Sequence, residues 1–347
     1  MAVPQTFNIA LLDADTPVPA VLSARGRYSD IFQGLLESAL IRLAKANLVT
    51  SNPLPKVQFT AYDIVRGDYP PDPSSLHGIV ISGAAGSAYD SDPWILTLSA
   101  WLRHIHASHP HIKIFGSCFG HQILCSTLLS PLDPAATVAK NPAGMELGIH
   151  AVTLSPAFLR AFPVDVLALP SSPLPPSSRQ YDDDDDDDES DEGESSGEGE
   201  VRMKLQFVHS DHVVLPPSPS PLLMSIGATP RCAVQGVYDG DRVLSLQGHF
   251  EFDAFVNAAT IDVFGRVWAA SMVVREGEEN WFEEAMARVK DAGGDDAGWA
   301  AEVVMAFLMG LGGGEEGEKR VVVGAGGAVV EGGLLTPPEE EEMAVAM

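Results

Sequence analysis

The amino-acid sequence predicts an α/β fold, with a mainly parallel open sheet flanked by helices and a small antiparallel β addition. Short β-rich runs alternate with longer stretches of helical periodicity in the first half of the chain, which is typical of a parallel sheet. A tight glycine turn at residues 116–120 joins a short apolar run to a helix, and the second half is richer in β runs. Hydrophobic residues make up 45% of the 347 positions, enough for a sizeable core, so disorder over the whole chain is excluded.

The first half of the chain supplies the alternating elements in order. Apolar runs bounded by turn residues predict strands at residues 7–13, 57–64, 77–83 and 112–115. Helical spacing of apolar residues predicts a helix over 29–46, and Pro93 favours the first turn of a helix that ends near residue 106. A third helix is expected from His121, so strand, tight turn and helix follow one another there.

The second half predicts a β-rich region followed by helices. Strands are expected at residues 149–154, 205–209, 222–226, 232–238 and 243–247. Helices are expected from Asp253 onward. We therefore expect residues 1–311 to form a single domain.

Two acidic segments carry most of the formal net charge of −27. Residues 171–200 combine a Ser/Pro stretch with a run of aspartates, and residues 312–347 are Gly-rich with a cluster of glutamates. Such segments cannot bury apolar surface and their charges repel one another, which predicts a disordered insertion and a disordered tail. The remainder is only mildly acidic and shows no basic patch, which argues against nucleic-acid binding.

Cysteine usage and the absence of targeting patterns set the expected compartment. Three cysteines in a chain of this length do not make a disulfide framework, and no CxxC pair supports a zinc site, so we expect neither metal nor cofactor. The N-terminal region does not resemble a signal peptide, and no window approaches twenty uninterrupted apolar residues. We expect a cytoplasmic protein that does not enter membranes, with the nucleus as the other compartment open to it.

The glycine turn at residues 116–120 has the form of a nucleophile elbow, with Cys118 in the nucleophile position. Small residues flank the nucleophile because the turn is cramped, and the N-terminus of the following helix favours a thiolate. Cys118 is therefore the candidate nucleophile. The alternative is that Cys118 is a small buried residue in a glycine turn.

Two further features supply what a cysteine nucleophile requires. His249 and Glu251 follow a predicted strand, and residues two apart project from the same face of an extended segment, so the carboxylate can orient the imidazole. Gly83 ends another predicted strand, and its N–H together with that of Phe119 would form an oxyanion hole. Alone, such a histidine is more often a surface residue and such a glycine a simple turn. As a set, they indicate cysteine catalysis.

These blocks resemble the class I glutamine amidotransferase family. Residues 116–122 look like its Gly-x-Cys-x-Gly-His-Gln motif, and residues 249–251 look like its His-Pro-Glu motif, with Phe250 in place of the usual proline. Further blocks resemble the branch of stand-alone, GMP-synthase-like glutamine amidotransferase proteins, at residues 82–84, 89–94, 141–148, 209–213 and 234–236. The resemblance implies the flavodoxin-like fold of that family.

The resemblance also implies a glutaminase-type hydrolase of C–N bonds. By it, Cys118 attacks the side-chain amide of glutamine to form a thioester, His249 shuttles the proton, and Glu251 orients His249. Gln122 and Asp211 match positions that hold the amino acid end of the substrate. No synthetase or P-loop pattern follows, so the ammonia would be used by a separate synthase or ligase.

Other interpretations stay open at this point. A γ-glutamyl peptidase uses the same triad on γ-glutamyl peptides or conjugates and needs no partner. A non-catalytic binding or regulatory protein could keep the fold, although the intact triad argues against it. An α/β-hydrolase shares the elbow, but its acid normally precedes the histidine. The remaining cysteines, Cys125 and Cys232, are expected in the core. For His209 and His212, a structural role and a functional role both stay open.

Overall fold

The computed structural model describes residues 6–49, 54–129, 136–162, 200–215, 223–269, 280–290 and 294–311. The predicted acidic insertion, apart from Glu200, and the whole predicted tail lie outside the described residues. Across the described ranges, no helix is both long enough and apolar enough to cross a membrane.

The strands of the described ranges form one large sheet and two small ones. In chain order they are β1 (Thr6–Asp13), β2 (Lys56–Asp63), β3 (Gly78–Ile81), β4 (Lys113–Ser117), β5 (Thr137–Lys140), β6 (Glu146–Leu154), β7 (Arg202–His209), β8 (Asp211–Val214), β9 (Met224–Ser225), β10 (Gly227–Ala228), β11 (Gly236–Tyr238) and β12 (Val243–Leu246). The large sheet has the order β2-β1-β3-β4-β12-β11-β9. Its neighbours are parallel from β2 to β12, whereas β11 and β9 are antiparallel, which confirms the predicted mainly parallel sheet.

Helices cover both faces of the large sheet. In chain order they are α1 (Pro19–Arg25), α2 (Tyr28–Lys45), α3 (Pro93–Ser108), α4 (Phe119–Leu124), α5 (Pro156–Ala161), α6 (Ala254–Ala269), α7 (Trp281–Val289) and α8 (Ala297–Leu308). Helix α4 continues into a wider π-type turn at Cys125–Leu129. Strand β1 shows the two-sided burial: Ile9 and Leu11 pack into the cluster that contains α2 and α8, whereas Ala10 and Leu12 pack into the cluster that contains α3 and α4.

The small sheets form the predicted antiparallel addition. Strands β6 and β7 pair from Glu146 opposite His209 to Thr153 opposite Arg202, and β10 extends this sheet beside β6. Strands β5 and β8 form the other pair. Because β7 ends beside the large sheet, the backbone N–H of His249 donates a hydrogen bond to the carbonyl of Gln206 at 2.8 Å. The addition therefore forms one wall of the region above β4 and β12.

Several predicted bounds differ from the structure. The strand predicted over 232–238 begins only at Gly236, because the Cys232 amide donates to the Thr229 hydroxyl at 3.1 Å and the preceding segment turns. The strand predicted over 222–226 is limited to β9. Helices α1 and α5 and strands β5 and β8 were not predicted, because short elements carry too few residues to show a periodicity.

Candidate active site

Cys118 occupies a strained turn between β4 and α4. Its φ is 49°, in the left-handed region that non-glycine residues rarely adopt. A Cβ on Gly116 would lie 2.4 Å from the Gly120 carbonyl carbon, and a Cβ on Gly120 would lie 2.6 Å from the Ile81 carbonyl oxygen. No other residue type fits these two glycine positions, which explains the glycine spacing. The turn directs the thiol toward the region where β4 and β12 end.

His249 and Glu251 lie directly beyond the end of β12 and form a short hydrogen bond. The Nδ1 atom of His249 is 2.7 Å from the Glu251 carboxylate, and the Ser117 hydroxyl donates to the same oxygen at 2.9 Å. The Phe252 ring stacks on the imidazole with 4.0 Å between the ring centroids. These contacts fix the plane of the imidazole and leave Nε2 as the nitrogen available to Cys118.

The charge state of His249 follows from its buried neighbours. Burial alone lowers the pKa of His249, but the Glu251 carboxylate and the Cys118 sulfur outweigh it, so the pKa lies above the ordinary value. The arrangement therefore favours an imidazolium at His249, beside the Glu251 side chain and the Cys118 sulfur. A thiolate is the reactive form of cysteine.

Gly83 follows β3 and lies against both reacting side chains. A Cβ at Gly83 would be 2.9 Å from Cε1 of His249 and 3.5 Å from the Cβ of Cys118. Within the described part of the chain, the backbone N–H groups of Gly83 and Phe119 have no hydrogen-bond partner. Two such donors beside a nucleophile can hold an oxyanion.

We expect Gly83→Ala to lower kcat by about 10²-fold, because the added methyl group displaces His249, and displacements of about 1 Å have effects of this size. The matched control is Gly86→Ala in the same loop, where the nearest atom to an added Cβ is an ordinary 3.8 Å away. Steady-state kinetics and thermal unfolding of both variants check this. Equal kinetics for the two variants would show that the space beside His249 is unimportant.

Gln122 and Asp211 are in contact within the site. The Gln122 amide nitrogen donates to the Asp211 backbone carbonyl at 3.1 Å and to the Gln247 side-chain oxygen at 3.0 Å. The Ser87 hydroxyl donates to the Asp211 carboxylate at 2.5 Å. Gln122, Asp211 and Ser87 line the same cleft as Cys118, and this cleft encloses about 690 Å³ when the solvent at its mouth is included.

A second acid and histidine pair lies beneath Asp211 and was not predicted. His209 Nδ1 is 2.8 Å from the Asp211 backbone carbonyl, and Nε2 is 2.9 Å from the Glu146 carboxylate. Thr229 and Gln235 donate to Glu146, each at 2.6 Å. Burial raises the pKa of Glu146, but these partners together bring it below the ordinary value. His209 thus has the structural role of holding the Asp211 backbone, whereas His212 lies half-buried on β8.

Two further residues contact the proposed triad. Gln247 places its amide nitrogen 3.5 Å from the Cys118 sulfur. Ser117 was noted only as a small residue of the elbow, although it donates to Glu251. Cys125 and Cys232 are buried and lie outside the cleft, as expected for core residues. Among the described residues, no three His, Cys, Asp or Glu side chains are grouped as a metal ion would require.

Comparison with curated proteins finds relatives that are named either glutamine amidotransferases or gamma-glutamyl peptidases. A glutamine amidotransferase-like protein of Schizosaccharomyces pombe is 27% identical over 308 residues, which cover 87% of this chain and 99% of the relative. Gamma-glutamyl peptidase 2 of Arabidopsis thaliana is 23% identical over 235 residues, which cover 67% of this chain and 75% of that protein. No protein-family model matches the chain.

A solved structure shares the fold. The glutamine amidotransferase of Thermotoga maritima matches with a TM-score of 0.50 at 16% identity, over 87% of this chain and 98% of that one. At this identity the likeness concerns the fold alone. The relative from S. pombe adds a match over nearly its whole length, and the residue blocks of the elbow and of the His-Glu pair occur in the expected order. In sequence the chain is thus similar to glutamine amidotransferase-like proteins, and it shares the fold of a glutamine amidotransferase.

Proposed function

We propose that this protein hydrolyses the side-chain amide of glutamine through a Cys118, His249 and Glu251 triad and supplies the ammonia to a separate biosynthetic enzyme. One observation supports this most directly. A hydrogen-bonded series runs from Ser117 through Glu251 to His249, beside a strained cysteine and two unpaired N–H groups. Such an arrangement suits acyl transfer at an amide carbonyl.

The proposed reaction begins with attack of the Cys118 thiolate on the amide carbon. The carbonyl oxygen takes the electron pair and becomes an oxyanion, which the N–H groups of Gly83 and Phe119 stabilise. His249 then gives its proton to the amide nitrogen, the C–N bond breaks, and ammonia leaves a glutamyl thioester on Cys118.

Hydrolysis of the thioester reverses the roles. Neutral His249 takes a proton from water as the water oxygen attacks the thioester carbon. The C–S bond breaks, glutamate is released, and Cys118 returns to the thiolate with His249 as the imidazolium. Glu251 orients His249 throughout. In this proposal Gln122 and Asp211 hold the amino acid end of the substrate.

A second candidate function is that of a γ-glutamyl peptidase. The same triad cleaves a γ-glutamyl amide whose amine is larger than ammonia, and no partner enzyme is needed. The open cleft favours this candidate, because its lining continues past His249 to Tyr28, Phe252 and Phe264. Free glutamine does not need that space. Relatives named gamma-glutamyl peptidases support it as well.

One assay separates these functions. Purified protein is supplied with glutamine, and ammonia is measured, while glutamate release is measured from a panel of γ-glutamyl amides. Cys118→Ala serves as the blank, and Cys125→Ala serves as the matched control on the same helical segment. Cleavage of glutamine but of none of the larger amides supports the amidotransferase. A preference for the larger γ-glutamyl amides supports the peptidase. Folded protein that cleaves none of them would indicate a non-catalytic role.

A further inference from the structure

The cleft extends beyond the nucleophile toward the end of β1. Asp15 follows β1 and lines the cleft, and its carboxylate accepts a hydrogen bond from the Ala85 N–H at 2.9 Å. In the large sheet β1 is separated from β4 by β3 alone. Two steps between neighbouring strands correspond to about 10 Å. The Asp15 carboxylate is thus held by the loop that follows β3, the same loop in which Gly83 lies against Cys118.

An aromatic wall connects His249 to this end of the cleft. Phe252 stacks on His249, and the Tyr28 ring stacks on Phe252 with 5.9 Å between the ring centroids. Tyr28 and Phe252 both line the cleft. The Tyr28 hydroxyl has no hydrogen-bond partner among the described residues. This wall therefore begins at His249, the proposed proton donor to the departing amine.

The charge at this end is negative. Asp15 makes no ion pair within the described ranges, and no Lys or Arg side chain described there lines the cleft. The nearest carboxylate along the chain, Asp13, is buried against Ser29. The Arg27 guanidinium forms an ion pair with the Asp63 carboxylate at 3.1 Å and lies 3.8 Å from the Asp13 carboxylate. An amine with a positive charge would therefore be favoured here, and one with a carboxylate would be repelled.

We propose that Asp15 and Tyr28 form a leaving-group subsite for γ-glutamyl amides whose amine carries a second, positively charged amino group. The inference rests on the proposed function, because Cys118 must cleave the amide. The spacing of about 10 Å between β1 and β4 suits a diamine of about four carbons, with its amide nitrogen at Cys118 and its free ammonium at Asp15. The Tyr28 hydroxyl supplies a second acceptor.

Three substrates whose amines each have four carbon atoms test the subsite. They are the γ-glutamyl amides of 1,4-diaminobutane, of butylamine and of 4-aminobutyrate, whose far ends are positive, neutral and negative. We expect kcat/KM to fall in that order, with about fivefold between the first two, as for two unit charges paired at about 4 Å in water. Glutamate release is the common readout.

Asp15→Asn is the decisive variant, because it keeps the shape while the charge is lost, and its single oxygen still accepts from one of the two N–H groups that bind Asp15, those of Thr16 and Ala85. We expect the preference for the diamine amide over the butylamide to fall to about twofold or less. Glu37→Gln, an exposed acid on α2, is the matched control and should keep the full preference. Tyr28→Phe should reduce the preference by about threefold. Ratios between substrates cancel any general effect on the loop at Ala85.

The outcomes distinguish a failure of the proposed subsite from a failure of the proposed amide hydrolysis. If wild-type protein cleaves none of the three amides and no glutamine, the proposed function fails and the subsite with it. If Cys118-dependent cleavage occurs at equal rates for all three, the function stands and the subsite is wrong. Loss of activity in Asp15→Asn by the same factor for every substrate would also overturn the subsite, since Asp15 would then serve the glutamyl end.

Discussion

Replacing Cys118 with alanine is expected to abolish amide hydrolysis, with a loss of at least about 10³-fold, and to leave the thermal midpoint nearly unchanged. The sulfur is the attacking atom, so nothing replaces it. The folded state tolerates the change because alanine keeps the Cβ in the strained turn. The sulfur makes only long contacts, at 3.5 Å to Gln247 and 3.9 Å to Val208.

Chemical labelling gives an independent measure of the same claim. An electrophilic glutamine analogue should modify Cys118 and spare Cys125 and Cys232. Burial raises the pKa of Cys125 well above its ordinary value and that of Cys232 to about 12, so neither forms a thiolate readily. Peptide mapping after labelling identifies the site. Substantial amidase activity in Cys118→Ala would refute the nucleophile assignment.

Replacing Glu251 with glutamine is expected to lower kcat by about 10²- to 10⁴-fold, because the shape is kept while the charge that stabilises the imidazolium is lost. His249→Ala should cost more. The double variant should cost little more than His249→Ala alone, since residues that act as a unit are not additive. Full additivity in this cycle would mean that Glu251 has a separate task, such as binding substrate.

Glu251→Gln is also expected to change the free energy of unfolding by an amount that depends on pH. The folded-state pKa of His249 is raised, so the ion pair with Glu251 contributes fully below the ordinary histidine pKa of about 6.5 and is lost as pH rises through the folded value. The difference in unfolding free energy between wild type and Glu251→Gln should therefore shrink from neutral to alkaline pH. Urea unfolding over a pH series measures it. A constant difference would contradict the proposed ionisation of His249.

The parts of the site that could be predicted are those fixed by local sterics. The elbow depends on glycines within two residues of Cys118, and the His249 and Glu251 pair depends on a spacing of two. Both are visible in a short window of sequence. The structure brings them together because β4 and β12 are neighbours in the sheet, and a parallel sheet aligns their carboxyl ends.

The parts that could not be predicted depend on contacts between distant positions. His209 meets Glu146 across 63 residues, and Ser117 meets Glu251 across 134 residues. No local spacing marks such pairs. Asp15 was also not singled out, because an acid after a strand resembles an ordinary loop residue until the cleft beside it is known.

The fold shows the same division. Long apolar runs with clear periods gave the buried strands and the helices α2 and α3. Strands β5 and β8 are four residues each and partly exposed, so their alternation is weak. They matter for the site, however, because β8 begins with Asp211 and holds it beside Gln122.

The central claim is that Cys118 carries the glutamyl group during the reaction. Rapid acid quenching of the protein with excess glutamine or a γ-glutamyl amide, followed by intact mass and peptide analysis, tests this directly. We predict a mass increase of one glutamyl group, located on Cys118, sensitive to hydroxylamine and absent from Cys118→Ala. An adduct on another residue would contradict this claim. So would turnover without any adduct on Cys118, under conditions in which cleavage of the amide bond is shown to be faster than hydrolysis of the thioester.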